Sequence, residues 1–227
     1  MHLALTTALV ASLLAPGPSR APRQAPVDAA LDRAVAAWQK IRTARGTFEQ
    51  TITNPLTGSA VSSRGEFAQQ MQPSRFSFDF VDPKGDRIVA DGKYVWLWLP
   101  STNPKQVIRM PAADGTAGNL DLAAQFFSSP RSRYTISDGG AVTVGGRATR
   151  AMTLVPRTAN GTFTRATLWV DTADGMLRQF ETVEQNGLKR QVRITKWEVN
   201  APVEASRFRF SPPKGVKVVD GNALGMR

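Results

Sequence analysis

Apolar positions recur with a helical period only near the start of the chain. Val27, Leu31, Val35, Trp38 and Ile41 follow one another at spacings of four, four, three and three, which lays them along one face of an amphipathic helix. Asp28 stands where a cap belongs and Gly46 just past the end, so the helix has a start, a stop and one side to bury. After Gly46 the period changes to two. Strand-like runs are expected at Gly46–Thr53, Ala60–Met71, Arg75–Val81, Arg87–Ala90, Tyr94–Leu99, Gln106–Met110, Tyr134–Ser137, Arg147–Pro156, Phe163–Asp171, Leu177–Glu184, Lys189–Val199 and Arg207–Ser211. Turn pairs such as Asp91-Gly92, Asp138-Gly139, Asn160-Gly161, Asp174-Gly175 and Asn186-Gly187 separate them and supply the positive φ angles of tight hairpins. The pattern predicts an antiparallel meander in a mainly β protein with few helices.

One segment interrupts the meander. Between Asp114 and Arg131, Leu120, Ala123, Ala124 and Phe127 share a short helical face, with Leu122 and Phe126 beside them. A helix this apolar has to lie against an apolar surface, and it is placed to close one side of the sheet. A further short helical turn is expected within Pro202–Ser206.

The richest stretch is Gln72 to Pro111. Phe76, Phe78 and Phe80 alternate on one run, and Tyr94, Trp96 and Trp98 on the next. Alternate side chains of a strand share a face, so paired neighbours are expected to pool these six rings on one side. Arg75, Ser77 and Asp79 then occupy the other side of the first run, whereas Val95, Leu97 and Leu99 make the second run apolar on both faces. One helix cannot cover so many rings, and a hydrophobic cavity follows.

Composition narrows the function. The chain has 227 residues, enough for one domain with a sizeable core. Leu3–Leu14 is a short apolar run followed by small residues and prolines, too short to span a bilayer at about 20 residues but suited to a secretory leader. The expected organisation is a leader over 1–25 that directs export, one domain over 26–220 and a tail over 221–227. Cysteine is absent and the sole histidine is His2, which leaves no thiolate or imidazole for catalysis or for a metal site. Asp82 with Asp86, and Asp171 with Asp174, bracket turns and read as hairpin chemistry rather than acid/base pairs. A binding protein without cofactor or metal, not an enzyme, is expected. The formal charge of +11 suits anionic surfaces, but the basic residues are scattered along polar strand faces, so nucleic acid is not expected as a partner.

Several segments in order resemble the periplasmic outer-membrane lipoprotein carriers of the LolA family. They are Gly46-Thr47-Phe48-Glu49-Gln50, Pro73-Ser74-Arg75-Phe76, Ala90-Asp91-Gly92 before Val95-Trp96, Leu177-Arg178-Gln179-Phe180 with Val183-Glu184-Gln185, and Phe208 to Val216. The resemblance implies an unclosed antiparallel β-barrel with an α-helical lid over its concave apolar face. It also implies a monomeric chaperone that takes acylated lipoproteins from an inner-membrane ABC transporter complex and hands them to an outer-membrane receptor lipoprotein. The implied acyl-chain site is Phe48, Phe67, Phe76, Phe78, Phe80, Trp96, Trp98, Leu168, Val170 and Phe180, under a lid carrying Leu120, Ala123, Phe126 and Phe127. Phe76, with Arg75, is implied in transfer to partners. Where the family often places a lid-holding Arg, this chain has Gln72, so the closing device stays open. The alternative is a carrier of another lipid, or an envelope sensor, on the same fold.

Overall fold

A computed structural model describes residues 24–112, 122–158 and 163–221, except the side chains of 24–25 and 122–124. Leu120, the side chain of Ala123, residues 222–227 and all but the last two residues of the expected leader lie outside the described residues.

Helix α1 (Gln24–Gln39) leads into β1 (Thr43–Thr53), β2 (Ala60–Gln70), β3 (Arg75–Asp82), β4 (Arg87–Ala90), β5 (Tyr94–Trp98) and β6 (Gln106–Pro111). Two short helices, α2 (Leu122–Phe127) and α3 (Pro130–Arg133), precede β7 (Tyr134–Val144), β8 (Arg147–Pro156), β9 (Phe163–Asp171), β10 (Leu177–Glu184) and β11 (Lys189–Val199). A 3-10 turn at Ala205–Phe208 and β12 (Lys217–Asp220) end the described chain. All twelve strands form one sheet in the order β12-β6-β5-β4-β3-β2-β1-β11-β10-β9-β8-β7. Neighbours are antiparallel except β12 with β6. Because β1 pairs with β11 at the centre and the edges β12 and β7 do not meet, the sheet is an unclosed barrel, mainly β with helices on its inner face.

The helices follow from the stripe that encodes them. Val27 and Leu31 of α1 are fully buried and Ala34 nearly so, packed with Phe126, Met152, Leu154, Leu168, Val170 and Phe180. Each such aliphatic side chain contributes roughly 1.5–3 kcal/mol. The helix crosses β7, β8 and β9 and touches α2, so it roofs the C-terminal half of the barrel.

The first helix ends at Gln39, so Ile41 lies beyond it and Gly46, expected just past its end, falls inside β1. Three further expectations, about the sheet, are corrected. Trp96 and Trp98 do not share a face with Phe76 and Phe78. In the ladder Phe76 stands opposite Ala90, Ala90 opposite Val95, and Val95 opposite Met110. Directly opposed residues share a face, so Val95 and Leu97 face inward, and Trp96 and Trp98 join Ser77, Val89 and Asp79 outside. The expected strand Arg207–Ser211 is instead the 3-10 turn and an extended segment that cover this apolar outer face. There Phe208 is buried, Phe210 lies 5.6 Å from Trp96 between ring centroids, and Arg207 reaches Glu66 at 3.1 Å and Asp79 at 3.2 Å. The third correction is the turn expected at Asp138-Gly139. It is a bulge within β7, where the register shifts between Asp138 and Gly140 and the Asp138 carboxylate accepts the Gly140 N–H at 3.0 Å. An extra residue absorbed this way bends a strand without ending it.

Candidate functional site

The concave face is built row by row. Ala44, Gln69 and Phe76 stand opposite one another across β1, β2 and β3, as do Gly46, Phe67 and Phe78, and then Phe48, Gly65 and Phe80. On the other flank of β1, Phe48 faces Ile194 and Gly46 faces Trp197, while Gln50, Val192 and Phe180 continue the surface into β10. The rings meet edge to face. Phe48 lies 5.6 Å from Phe78 and 5.4 Å from Phe80 between centroids, and Phe67 lies 5.1 Å from Trp197, the arrangement aromatic quadrupoles favour. Gly46 has a reason to be glycine. A Cβ there would run into the Lys196 carbonyl oxygen and come within 2.9 Å of the Phe67 ring, so the bare backbone lets the Phe67 and Trp197 rings close over it.

Over these rows lies a cavity of about 60 Å³ lined by Phe48, Phe67, Phe76, Phe78, Phe180, Val192, Ile194 and Trp197 from the sheet, with Ala34, Trp38, Ile41 and Phe127 above. Gly175 and Met176, from the turn between β9 and β10, and Leu177, the first residue of β10, form its rim. Pockets that enclose a small molecule run to roughly 300–1,000 Å³. This surface is thus nearly collapsed on itself, and the helices must move before a long chain can enter.

Specific contacts hold the roof. Phe126 packs at 5.5 Å from Phe180 and 5.9 Å from Phe163 between ring centroids. The Gln125 carbonyl accepts hydrogen bonds from the Tyr134 hydroxyl at 2.9 Å and from Arg133 Nη1 at 3.0 Å. Burial raises the Tyr134 pKa despite the nearby Arg133 charge, so the hydroxyl keeps its proton to donate. From α3, Arg131 reaches back to α1, with Asp32 Oδ1 at 2.6 Å and Asp28 Oδ1 at 3.6 Å. The hydrogen bond to Asp32 leads the influences that raise the Arg131 pKa.

The rim has its own support. Asp171 is 1% exposed and accepts from Arg147 Nε at 2.6 Å, Arg178 Nε at 3.0 Å and the Ala173 N–H at 2.8 Å. Burial alone would raise its pKa. The Arg147 hydrogen bond, the Ala173 N–H and Arg178 outweigh it and bring the value down to about 2. The turn so formed places Gly175, with φ of +74° and the Arg33 carbonyl 2.8 Å from where a Cβ would sit, directly against α1. Arg33 in turn donates to the Thr172 carbonyl.

Of the expected acyl-site residues, the cavity brings together Phe48, Phe67, Phe76, Phe78 and Phe180. Phe80 packs against Phe48 beside it. Leu168 and Val170 are fully buried in the core with α1. Trp96 and Trp98 lie on the outer face, where Trp96 Nε1 donates to Asp91 Oδ2 at 2.7 Å. Phe126 and Phe127 are buried, and Phe127 reaches the cavity. Arg75 is set apart from Phe76. It sits by the turn between β4 and β5, its Nε 3.5 Å from the Cβ position of Gly92. There its charge helps lower the Asp91 pKa, after the Trp96, Tyr94 and Lys93 hydrogen bonds that outweigh burial. Gln72 is exposed, and its carbonyl accepts from Gln70 Nε2 at 2.9 Å. Trp38, Gln69, Met176 and Trp197 line the cavity in addition to the expected set. Trp38 belongs to the helical stripe and can be found there, and Gln69 stands two residues after Phe67 on the same strand, so alternation alone puts it on the inward face.

This architecture matches known proteins over most of its length. The family model described as "Outer membrane lipoprotein carrier protein LolA" matches residues 39–211. The outer-membrane lipoprotein carrier protein of Methylibium petroleiphilum is 29% identical over 180 residues, covering 79% of this chain and 84% of that relative. That of Erwinia tasmaniensis is 27% identical over 181 residues, covering 80% and 83%. Among solved structures, an uncharacterized conserved protein from Thermus thermophilus superposes with a TM-score of 0.54 at 16% identity, over 86% of this chain and 99% of that one, a likeness of fold alone. With the family match spanning well over half of its residues, this chain belongs to the LolA family of outer-membrane lipoprotein carriers.

Proposed function

We propose that this protein is a periplasmic chaperone that holds the acyl chains of lipoproteins in the cavity beneath α1 and α2. It receives them from an inner-membrane ABC transporter complex and delivers them to an outer-membrane receptor lipoprotein. The observation that carries this reading is the aromatic floor of Phe48, Phe67, Phe76, Phe78 and Phe180 beneath a helical roof. Transfer of acyl chains from lipid to water costs roughly 0.8 kcal/mol per methylene, so a carrier has to offer a comparable apolar surface. Such a surface left open would aggregate. Closure by Phe127 and Trp38 in the empty state, and their displacement on loading, meet both demands, with α2 as the lid and Phe76 within the loading surface. Handover needs the receptor to hold the chains more favourably than the carrier does. The reading is tested by incubating membranes that contain the transporter, ATP and a labelled triacylated lipoprotein with the purified protein. Release of the label into the soluble fraction as a one-to-one complex is expected, and label retained in the membrane pellet overturns it.

A further inference from the structure

Two residues that line this apolar cavity each carry a buried polar group with no partner among the described residues. Gln69 is 9% exposed, faces inward in the row with Ala44 and Phe76, and has its side-chain Nε2 buried without a hydrogen bond. Trp38, from α1, presents a buried Nε1–H that is equally unsatisfied. Both line the one cavity, one from its floor and one from its roof. The condition is not general to the wall, because the indole of Trp197 donates to the Leu177 carbonyl at 2.8 Å.

A buried donor left without an acceptor is destabilising, and a leucine at 69 or a phenylalanine at 38 would avoid that cost on a surface already built from such residues. The donors therefore point to a ligand that brings acceptors. Hydrocarbon has none. The acceptors nearest an acyl chain are the carbonyl oxygens of the ester or amide that joins it to its head. The donors are neutral, and among the described residues no charged side chain lines the cavity. A carboxylate or phosphate would enter it without a counter-charge, whereas a carbonyl needs only the two N–H groups. We infer that Trp38 and Gln69 form a polar subsite that receives the ester or amide carbonyl at the head of a bound acyl chain while the phenylalanines hold the hydrocarbon. This rests on the acyl-carrier reading of the same cavity.

The test is calorimetric titration of the delipidated full chain, in a mild detergent, with an N-acetylated S-(diacyloxypropyl)cysteine peptide and with its dialkyl ether analogue of equal chain length. The ester ligand is expected to bind about tenfold tighter, the equivalent of one to two net hydrogen bonds. In Gln69→Leu and in Trp38→Phe the two affinities are expected to converge. A diacyl phosphatidylethanolamine and its ether analogue, used as competitors, separate the sources. Ester preference for the peptide assigns the carbonyl to a lipoprotein, and the same preference confined to the phospholipid keeps the subsite and assigns it to membrane lipid. Equal ester and ether affinities in the unmodified protein overturn the subsite, and discrimination that survives in either variant removes that residue from it. If no ligand in either series binds, the acyl-carrier reading itself fails.

Discussion

The ring of Phe126 in α2 lies 5.5 Å from that of Phe180 in β10, at 56° between their planes. Phe126 is fully buried and Phe180 nearly so, yet Phe180 also lines the cavity. The contact is thus both a piece of core and the seat of the roof. Replacing Phe126 with alanine removes one side of it. A loss of about 3–5 kcal/mol in unfolding free energy is expected, as for other fully buried phenylalanines, and urea denaturation checks it. A loss below about 1 kcal/mol would mean that α2 is not seated as described.

The register makes the two aromatic triplets separable by mutation. Phe78 lines the cavity, whereas Trp96 packs at a tilt against Phe210 and donates to Asp91 outside it. Phe78→Ala is expected to weaken binding of the ester-linked lipopeptide by about ten- to a hundredfold, in line with roughly 1.5–3 kcal/mol for a large apolar side chain. Trp96→Ala is expected to change that affinity less than twofold while lowering stability. The reverse ranking would place the acyl surface on the other side of the sheet.

Which parts of this arrangement can be read from the chain depends on what fixes each one locally. The strands Arg87–Ala90, Arg147–Pro156 and Lys189–Val199 rest on near-neighbour chemistry, and their limits are legible, whereas the helix expected from its stripe starts at Gln24, before Asp28, and stops at Gln39, with Ile41 beyond it and Gly46 already inside β1. The phase of β5 is not legible either. Tyr94, Trp96 and Trp98 alternate with Val95 and Leu97, so either face satisfies burial, and only pairing through β4 decides between them. A one-residue change of register exchanges the faces of a whole strand. Arg207 to Phe210 alternates like a strand, but the segment lies across the outer face, where burial of Phe208 replaces ladder pairing. Gln69 sits beside Gln70 and looks like surface. Its parity with Phe67, two residues earlier, turns it inward, and the row through Ala44 and Phe76 agrees.

Asp171 makes the rim sensitive to acid. Its pKa is about 2 in the folded chain against 3.8 for the ordinary side chain. As pH falls, the unfolded chain takes up the proton first. The stabilisation is therefore fully present above about pH 4 and lost as pH falls through about 2. The difference corresponds to about 2 kcal/mol. Between pH 6 and pH 2 the stability gap between the unmodified protein and Asp171→Asn is expected to shrink by about that amount in urea titrations. A gap independent of pH would remove Asp171 as the source.

Arg131 separates fastening from folding. It ties α3 to Asp32 and Asp28 of α1, but all three side chains are well exposed, and exposed ion pairs contribute only about 0–1 kcal/mol. Arg131→Ala is therefore expected to leave the urea midpoint almost unchanged. Even a fraction of a kcal/mol still matters locally, because Arg131 joins the segment that follows α2 to the helix that shares the roof with it. Removal should shift the roof toward opening by up to a few-fold, seen as faster hydrogen exchange in Ser132 to Tyr134 and faster uptake of the ester-linked lipopeptide. Salt gives an independent check, since screening acts on this pair and hardly on the buried Phe126 contact. About 1 M salt should speed uptake by the unmodified protein toward the rate of the variant, and change the variant little. If exchange and uptake are the same in both proteins at low salt, the ion pairs do not hold the roof, and the packing of Phe126 on Phe180 alone sets its opening.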